Sequence, residues 1–542
     1  MPRDPTPAPQ PAFPETELTH KPLDYLVIGA GPAGVQLAYF LKRAHRDHLV
    51  LEAGPVPGAF YRKFPRHRRM ISINKPYCGF DDPDQKLRVD WNSLLGDDDM
   101  PRFTRYTDRY FPHADDYLRY LADFAAHHEL DIRYDTRVTE VAREGERGPF
   151  RVTDEHGTVR SARRVVVATG FSRAYLPPIP GIETAESYAD MTLDRDSFTD
   201  QRVLIIGKGN SGFETADHLI ERAAVIHVLG PSSIKLAWKT HFIGHLRAVN
   251  SNFLDTYQLK AQNSVLDATV DRVEKLPDGG YEVTLTYLRR DETVRFRYDR
   301  VLACTGFAMD ASIFAPECRP EMTIKDRFPA LTSSWESVNV PDLYVAGTLT
   351  QVRDFKKYTS AFIHGFRYGV RALTRMLDRR YERIEWPCRA LPSDPARLAD
   401  AVLARLATTS ALWQQFTFLC DLLVVDEDNV RHYEEMPVDY LHDSDFGQHD
   451  SYLTLTFEYF PGHDQLDPFD IAAGRAWEQE HQHDDRYLHP VVRHFHRGEV
   501  VSEHRLKENL DNEWNDPVVH VKPLVEYLAD TLDRPLATGG ER

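Results

Sequence analysis

Two segments of this chain repeat one local grammar, and few folds accommodate it twice. In the first, the apolar strand DYLVIG (24–29) runs into Gly29-Ala30-Gly31-Pro32-Ala33-Gly34. A helix follows with apolar residues at Val35, Leu37, Ala38, Phe40 and Leu41, then a strand, HLVLEA, that reaches Glu52. In the second, QRVLIIG leads into Gly207-Lys208-Gly209-Asn210-Ser211-Gly212, the helix FETADHLIERA and the strand AVIHVLG. A glycine turn between strand and helix lets a pyrophosphate approach the backbone N–H groups that open the helix. Two such units predict two Rossmann-type dinucleotide-binding domains in an α/β chain.

The first unit also carries Glu52 at the end of its second strand, where a carboxylate can accept from both hydroxyls of an adenosine ribose, so FAD is expected there. The second strand of the other unit ends without an acid, in Gly230-Pro231-Ser232-Ser233-Ile234-Lys235. Nothing at that position repels a 2′-phosphate, which favours NADPH, with NADH also admissible; Lys208, Lys235 and Lys239 are candidate phosphate partners. Strand-rich stretches that close on Ala168-Thr169-Gly170 and Thr305-Gly306 complete the two units. The pattern breaks at WPCRALPSDP, beyond which lie helices, an alternating strand (YLTLTFEYF) and eleven histidines. The expected layout is a disordered tail over 1–22, an FAD-binding domain over 23–199 and 309–385, an NAD(P)H-binding domain over 200–308, and an additional α+β C-terminal domain over 386–542.

Composition narrows the function. A formal charge of −17 without a compensating basic tract argues against nucleic acid as a partner. No apolar run approaches the ~18 residues of a membrane helix, so no membrane partner is expected. The proline-rich start lacks the apolar core of a secretory signal. Five cysteines form no CxxC pair, which excludes a sequence signature for zinc or a vicinal disulfide. Cys304, in LACTG, reads as buried packing. His481-Gln482-His483 and His494-Phe495-His496 have the wrong spacing for helical metal ligands, so no metal is expected.

The two glycine turns, the two Thr-Gly pairs and NVPDLYVAG (339–347) make the span from 24 to about 385 resemble the class B flavin monooxygenases and their disulfide-reductase-like relatives. PRHRRMISINK (65–75), DWNSLL (90–95), DTYQLK (255–260), HGFRYG (364–369) and YLHPVVR (487–493) extend a closer resemblance, over the whole chain, to the ER-associated FAD-dependent oxidoreductase domain-containing proteins. That family carries an ER signal and a retrieval sequence. This chain begins MPRDPTPAP and ends ATGGER, so a cytoplasmic location is expected. It departs from the monooxygenase pattern in two places. FxGxxxHxxxF is replaced by Tyr188, Asp190, Asp194 and Phe198 at the same spacing, and the Gly-Asp after LYVAG is Gly347-Thr348.

The resemblance implies an FAD-dependent NAD(P)H oxidoreductase, here expected to use O2 to oxygenate a small molecule at nitrogen or sulfur through a C4a-hydroperoxyflavin. The alternative is an NAD(P)H-oxidising flavoprotein that acts as a redox sensor or binds a protein partner. Asn74 falls where an asparagine lies against the isoalloxazine in flavin monooxygenases, and with Lys75 it is the expected catalytic pair. Arg66, Arg68 and Arg69 are candidate contacts to flavin or an anionic substrate. Expected cofactor contacts are Gly29, Gly31, Pro32, Ala33, Gly34, Glu52, Ala53, Gly58, Phe60, Val138, Ala168, Thr169, Gly170, Gly207, Gly209, Asn210, Ser211, Gly212, Lys235, Gly347 and Thr348. A homodimer is an admissible assembly.

Overall fold

The computed structural model describes residues 21–532 apart from 98, 144, 260–261, 427–428, 461, 466, 468, 471–487 and 508–510. Most of the N-terminal tail, and the pair His481 and His483, lie outside the described residues. The chain is mixed α/β, and its described residues build three large sheets and two two-stranded ones, Arg173–Ala174 with Phe307–Ala308 and Met322–Thr323 with Phe328–Pro329.

The first sheet runs Ile132–Arg133, His48–Leu51, Leu23–Ile28, Val159–Val167, Phe150–Asp154, Val138–Arg143, with Leu343–Val345 added parallel to Val165–Val167. Its inner strands are parallel and buried on both faces, which is why they read as unbroken apolar runs. Pro32–Arg43 crosses from one strand to the next, with proline in its first turn and Lys42 and Arg43 in its last. The second sheet is ordered Glu292–Tyr298, Tyr281–Tyr287, Asn263–Lys275, Val225–Gly230, Arg202–Ile206, Arg300–Ala303, Glu186–Ser187. Its parallel centre carries the helix Asn210–Leu219.

The third sheet is antiparallel throughout: Cys388–Pro392, Asn429–Pro437, Leu419–Val425, Ser451–Glu458, His489–His496, Glu499–Arg505. The alternation read in YLTLTFEYF does not separate a wet face from a dry one, because Thr454 and Thr456 are buried like their apolar neighbours. The strand is interior to the sheet, and Thr456 satisfies its hydroxyl on Glu458 (2.7 Å).

This third sheet shares one contiguous core with the first, whereas the second packs around two cores of its own. Ions seal the seam. The helix Pro395–Thr408 presents Arg405 to the fully buried Asp421 (2.7 Å), which also receives His432 Nε2 (2.9 Å) and the Glu435 N–H (2.8 Å). Glu435 in turn accepts from Arg371 (2.6 Å) on the helix Ile363–Leu377. Arg367 on that helix is wholly buried and donates to the carbonyls of Leu87, Asp90 and Ser93 at 2.8–2.9 Å. The HGFRYG and DWNSLL segments are therefore two halves of one packing joint.

Candidate functional site

Each glycine of the two turns does a different job. Gly29 sits at φ +101°, and a Cβ there would come within 2.9 Å of the Ala168 carbonyl oxygen. A Cβ on Gly34 would overlap the Gly29 carbonyl, so the third glycine lets helix and strand touch. Gly31 is different: the nearest atom to its missing Cβ is 3.9 Å away, which leaves open space over the helix N-terminus. The second turn repeats the pattern. Gly207 (φ +125°) abuts Cys304, Gly212 abuts the Gly207 carbonyl, and Gly209 faces nothing within 4 Å. Two cradles with room at the middle glycine are what two pyrophosphates need.

Glu52 is buried and holds the first turn in place. Oε2 accepts from the Ala30 N–H (2.7 Å) and Oε1 from the Gly54 N–H (2.8 Å). Burial pushes its carboxyl up and the backbone donors pull it back only in part. Each carboxylate oxygen keeps a lone pair for a ribose hydroxyl. Gly58 (φ +84°) donates its N–H to the Ala30 carbonyl (2.9 Å) and opens the short helix that carries Phe60. Ala53 is half-buried beside Glu52, and Val138 starts a sheet strand behind it.

Both cradles open onto a single cavity of about 480 Å³. From the first unit Gly31, Pro32, Ala33, Phe60 and the Ala168-Thr169-Gly170 segment line it; Asn210 and Ser211 line it from the second. Thr348 also lines it, its hydroxyl donating to the Ala361 carbonyl (3.0 Å). Gly347 is not at the wall but stands against Ala33, with no room for a Cβ. Of the basic run, Arg69 lines the cavity, while Arg66 and Arg68 are tied to the Met191 and Tyr61 carbonyls.

The structure does not bring the expected catalytic pair to this cavity. Asn74 is buried, and its Nδ2 donates to the carbonyls of Thr107 (2.7 Å) and Arg109 (3.2 Å). Lys75 points to solvent. The chain passes the cavity earlier, at Met70, Ile71 and Ser72, and has turned away by residue 74. The lysines are also redistributed. Lys208 pairs with Asp267 and donates to the Ser232 carbonyl (3.0 Å), with its stem over Gly230. An acid from the neighbouring strand therefore occupies the lysine nearest the second turn. Lys235 is exposed outside the lining.

Sequence reasoning missed the loop that closes the cavity between the units. Asn210 Nδ2 donates to the His245 carbonyl (2.8 Å), while its Oδ1 accepts from the Arg247 N–H (3.0 Å) and Asn250 Nδ2 (3.1 Å). Arg247 then donates across to the Ile71 carbonyl (2.7 Å) and lies near the Trp91 ring. Trp91 stacks on His364, ring centroids 4.3 Å apart. Burial holds His364 neutral, and its Nδ1 has no partner among the described residues. The GxGNSG asparagine was the one signal for this loop. Tyr188, first residue of the altered FxGxxxHxxxF segment, also reaches the cavity, where its hydroxyl donates to Glu214. Cys304 is buried, with its thiol pushed up to about 12, and is not in the lining. Among the described residues, no group of three or more His, Cys, Asp or Glu could hold a metal, and no helix is long and apolar enough to cross a membrane.

Residues 26–347 match the family model described as pyridine nucleotide-disulphide oxidoreductase. The chain is 34% identical to the FAD-dependent oxidoreductase domain-containing protein 2 of Mus musculus, covering 95% of this chain and 84% of the relative. It is 26% identical, over 39% of its length and 47% of the relative, to the probable indole-3-pyruvate monooxygenase YUCCA1 of Arabidopsis thaliana. Among solved structures, the ornithine N-hydroxylase of Kutzneria sp. 744 superposes with a TM-score of 0.50 at 18% identity, covering 66% of this chain and all of that one. Two cradles facing one cavity, with an acid anchoring the first, are those of an FAD- and NAD(P)H-dependent flavoprotein oxidoreductase. The chain belongs to the pyridine nucleotide-disulphide oxidoreductase family, and within it to the FAD-dependent oxidoreductase domain-containing proteins.

Proposed function

We propose that this chain is an NADPH-dependent, FAD-containing monooxygenase acting on a small molecule. The observation that carries the reading is the shared cavity: residues of both cradles line it, its walls are mainly apolar, and none of the five cysteines lies among its lining residues. Electrons delivered there meet no thiol pair, so dioxygen and a small organic acceptor are the fitting recipients. When bound, FAD takes a hydride from NADPH and supplies two electrons to dioxygen, one oxygen atom going to a soft nucleophile such as an amine or sulfide and the other to water.

The chain's own residues prepare the setting. Phe60, Phe64, Phe307 and Phe328 exclude water, which strengthens every electrostatic contact inside. Arg69, Arg247 and Arg327 put positive charge in the wall, complementary to the phosphates of both dinucleotides. Arg247 also fixes the spacing of the units through Ile71. The similarity to the monooxygenase relative supports the oxygenating reading over a dithiol one.

The test supplies NADPH and isotopically labelled dioxygen to the FAD-loaded protein with a panel of small amines and sulfides. A product carrying one labelled oxygen, with hydrogen peroxide release falling as NADPH use rises, is the expected result. If every electron pair appears as hydrogen peroxide whatever the panel member, the protein is an NADPH oxidase instead.

A further inference from the structure

The reaction just proposed consumes one proton that NADPH does not bring. With substrate S the balance is NADPH + H⁺ + O2 + S giving NADP⁺ + H2O + SO; without it, NADPH + H⁺ + O2 gives NADP⁺ + H2O2. Hydride carries one hydrogen and the electron pair, so the second hydrogen must reach a mainly apolar cavity as a proton. Few wall groups can hold one. The guanidinium groups of Arg69, Arg247 and Arg327 do not release theirs. Burial keeps Tyr61 and Tyr188 from ionising and keeps His364 from protonating. Lys356 stands at the rim with its ammonium open to solvent; partial burial, and then the field of Arg327 and Lys235, lower its hold on a proton.

Glu214 remains, the sole carboxylate among the described lining residues. It sits on the helix Asn210–Leu219, one turn beyond the second cradle, and is only 8% exposed. Tyr188 donates its hydroxyl to Oε1 and itself accepts the Arg66 N–H (3.1 Å). His67, which burial keeps neutral, lies 3.4 Å from the Thr215 hydroxyl and 4.5 Å, ring to ring, from His218. The buried Cys304 thiol lies behind, and Arg69 is the cation whose field reaches the carboxylate. No salt bridge neutralises Glu214 among the described residues, and burial lifts its carboxyl to about 7 against the pull of Tyr188 and Arg69.

We propose that Glu214 holds the proton consumed in each turnover and donates it into the cavity, with Tyr188 as the residue that positions its carboxyl. Because Tyr188 donates to Oε1, the proton resides on Oε2. The Oε2–H bond breaks, an O–H bond forms on the oxygen that leaves as water or hydrogen peroxide, and the carboxylate recovers a proton from solvent. A group titrating near working pH is the effective kind of acid for such a transfer. The inference rests on the NADPH-to-dioxygen reading but not on oxygenation, since both products consume the same proton.

The experiment uses the full FAD-loaded chain. First, the infrared carboxyl C=O band is followed from about pH 5 to about pH 9 in wild type and Glu214→Gln. Glutamine keeps an oxygen for the Tyr188 hydroxyl, so the fold should hold. A protonated-carboxyl band that disappears near neutrality in wild type and is missing from the variant is expected. Second, protein reduced anaerobically with NADPH is mixed with dioxygen across the same range. Wild-type reoxidation should slow as pH rises through neutrality. Glu214→Gln should be pH-independent and slower on the order of a hundredfold at the acid end. Tyr188→Phe removes a donor to the carboxylate, so its profile should move to higher pH. Asp354, a second buried carboxyl lifted to about 7, adds a band of its own, so the readout is the wild-type minus Glu214→Gln difference. No carboxyl difference band, or a reoxidation profile that matches wild type, overturns the assignment. Hydrogen peroxide as the only product would sink the oxygenase reading and leave this one standing.

Discussion

Gly31 and Gly34 lie three residues apart and are expected to fail differently when replaced by alanine. At Gly34 a methyl group overlaps the Gly29 carbonyl, so Gly34→Ala must break the turn and destabilise the fold itself. At Gly31 the backbone is extended and the space is open, so Gly31→Ala should fold with a near wild-type melting temperature without FAD. Its methyl group would instead occupy the approach of the pyrophosphate, weakening FAD binding by about tenfold or more, the scale of a lost charge-assisted hydrogen bond. Melting curves with and without FAD separate the two. Equal loss of apo stability in both variants would contradict the assignment of roles. These glycines and Glu52 were legible in the sequence because their work is local: a turn, a close approach and a strand end lie within one unit. Asn74 lies off the cavity wall because its side chain is held by the carbonyls of Thr107 and Arg109, which no local pattern announces. Glu214 was invisible for the same reason, being one acid in an ordinary helix until Tyr188 and Phe64 close over it.

At the scale of elements, strands were easier to read than the joints between them. The parallel strands announced themselves as continuous apolar runs, and the helices as periodic ones after glycine. The C-terminal sheet was harder, since its buried threonines mimic an alternating surface strand and its docking depends on a charged network. Asp421 is the node of that network. Arg405 and His432 hold its carboxyl well below the usual carboxylate range despite complete burial. A carboxylate depressed in the folded state stabilises above its unfolded range, and that contribution is lost as pH falls below it. Asp421→Ala leaves Arg405 without its nearest counter-charge and should cost about 3–5 kcal/mol. Thermal melts at neutral and acid pH check this: the variant should melt well below wild type near neutrality, with the gap narrowing at low pH. A gap that stays constant with pH would show that packing, and not the ion pair, sets the loss.

For the whole molecule, the third sheet is not an appendage, because its core runs without a break into the first sheet and the bonds of Arg371 to Glu435 and of Arg88 to the Leu406 and Thr409 carbonyls cross the seam. The second unit keeps separate cores and meets the first through the cavity wall, by contacts such as Arg247 to Ile71. That arrangement fixes the FAD cradle on the larger body and brings the NADPH cradle to it across one interface. The chain's central act is therefore the passage of hydride between two dinucleotides held by two cradles, and the direct measurement is anaerobic. FAD-loaded wild type and Gly209→Ala, whose added methyl group fills the open position of the second cradle, are each given stoichiometric NADPH while the visible flavin band is followed. Wild type should bleach fully, and Gly209→Ala should retain its FAD but stay yellow at the same NADPH concentration. A wild-type flavin that dithionite bleaches and NADPH does not would contradict the account.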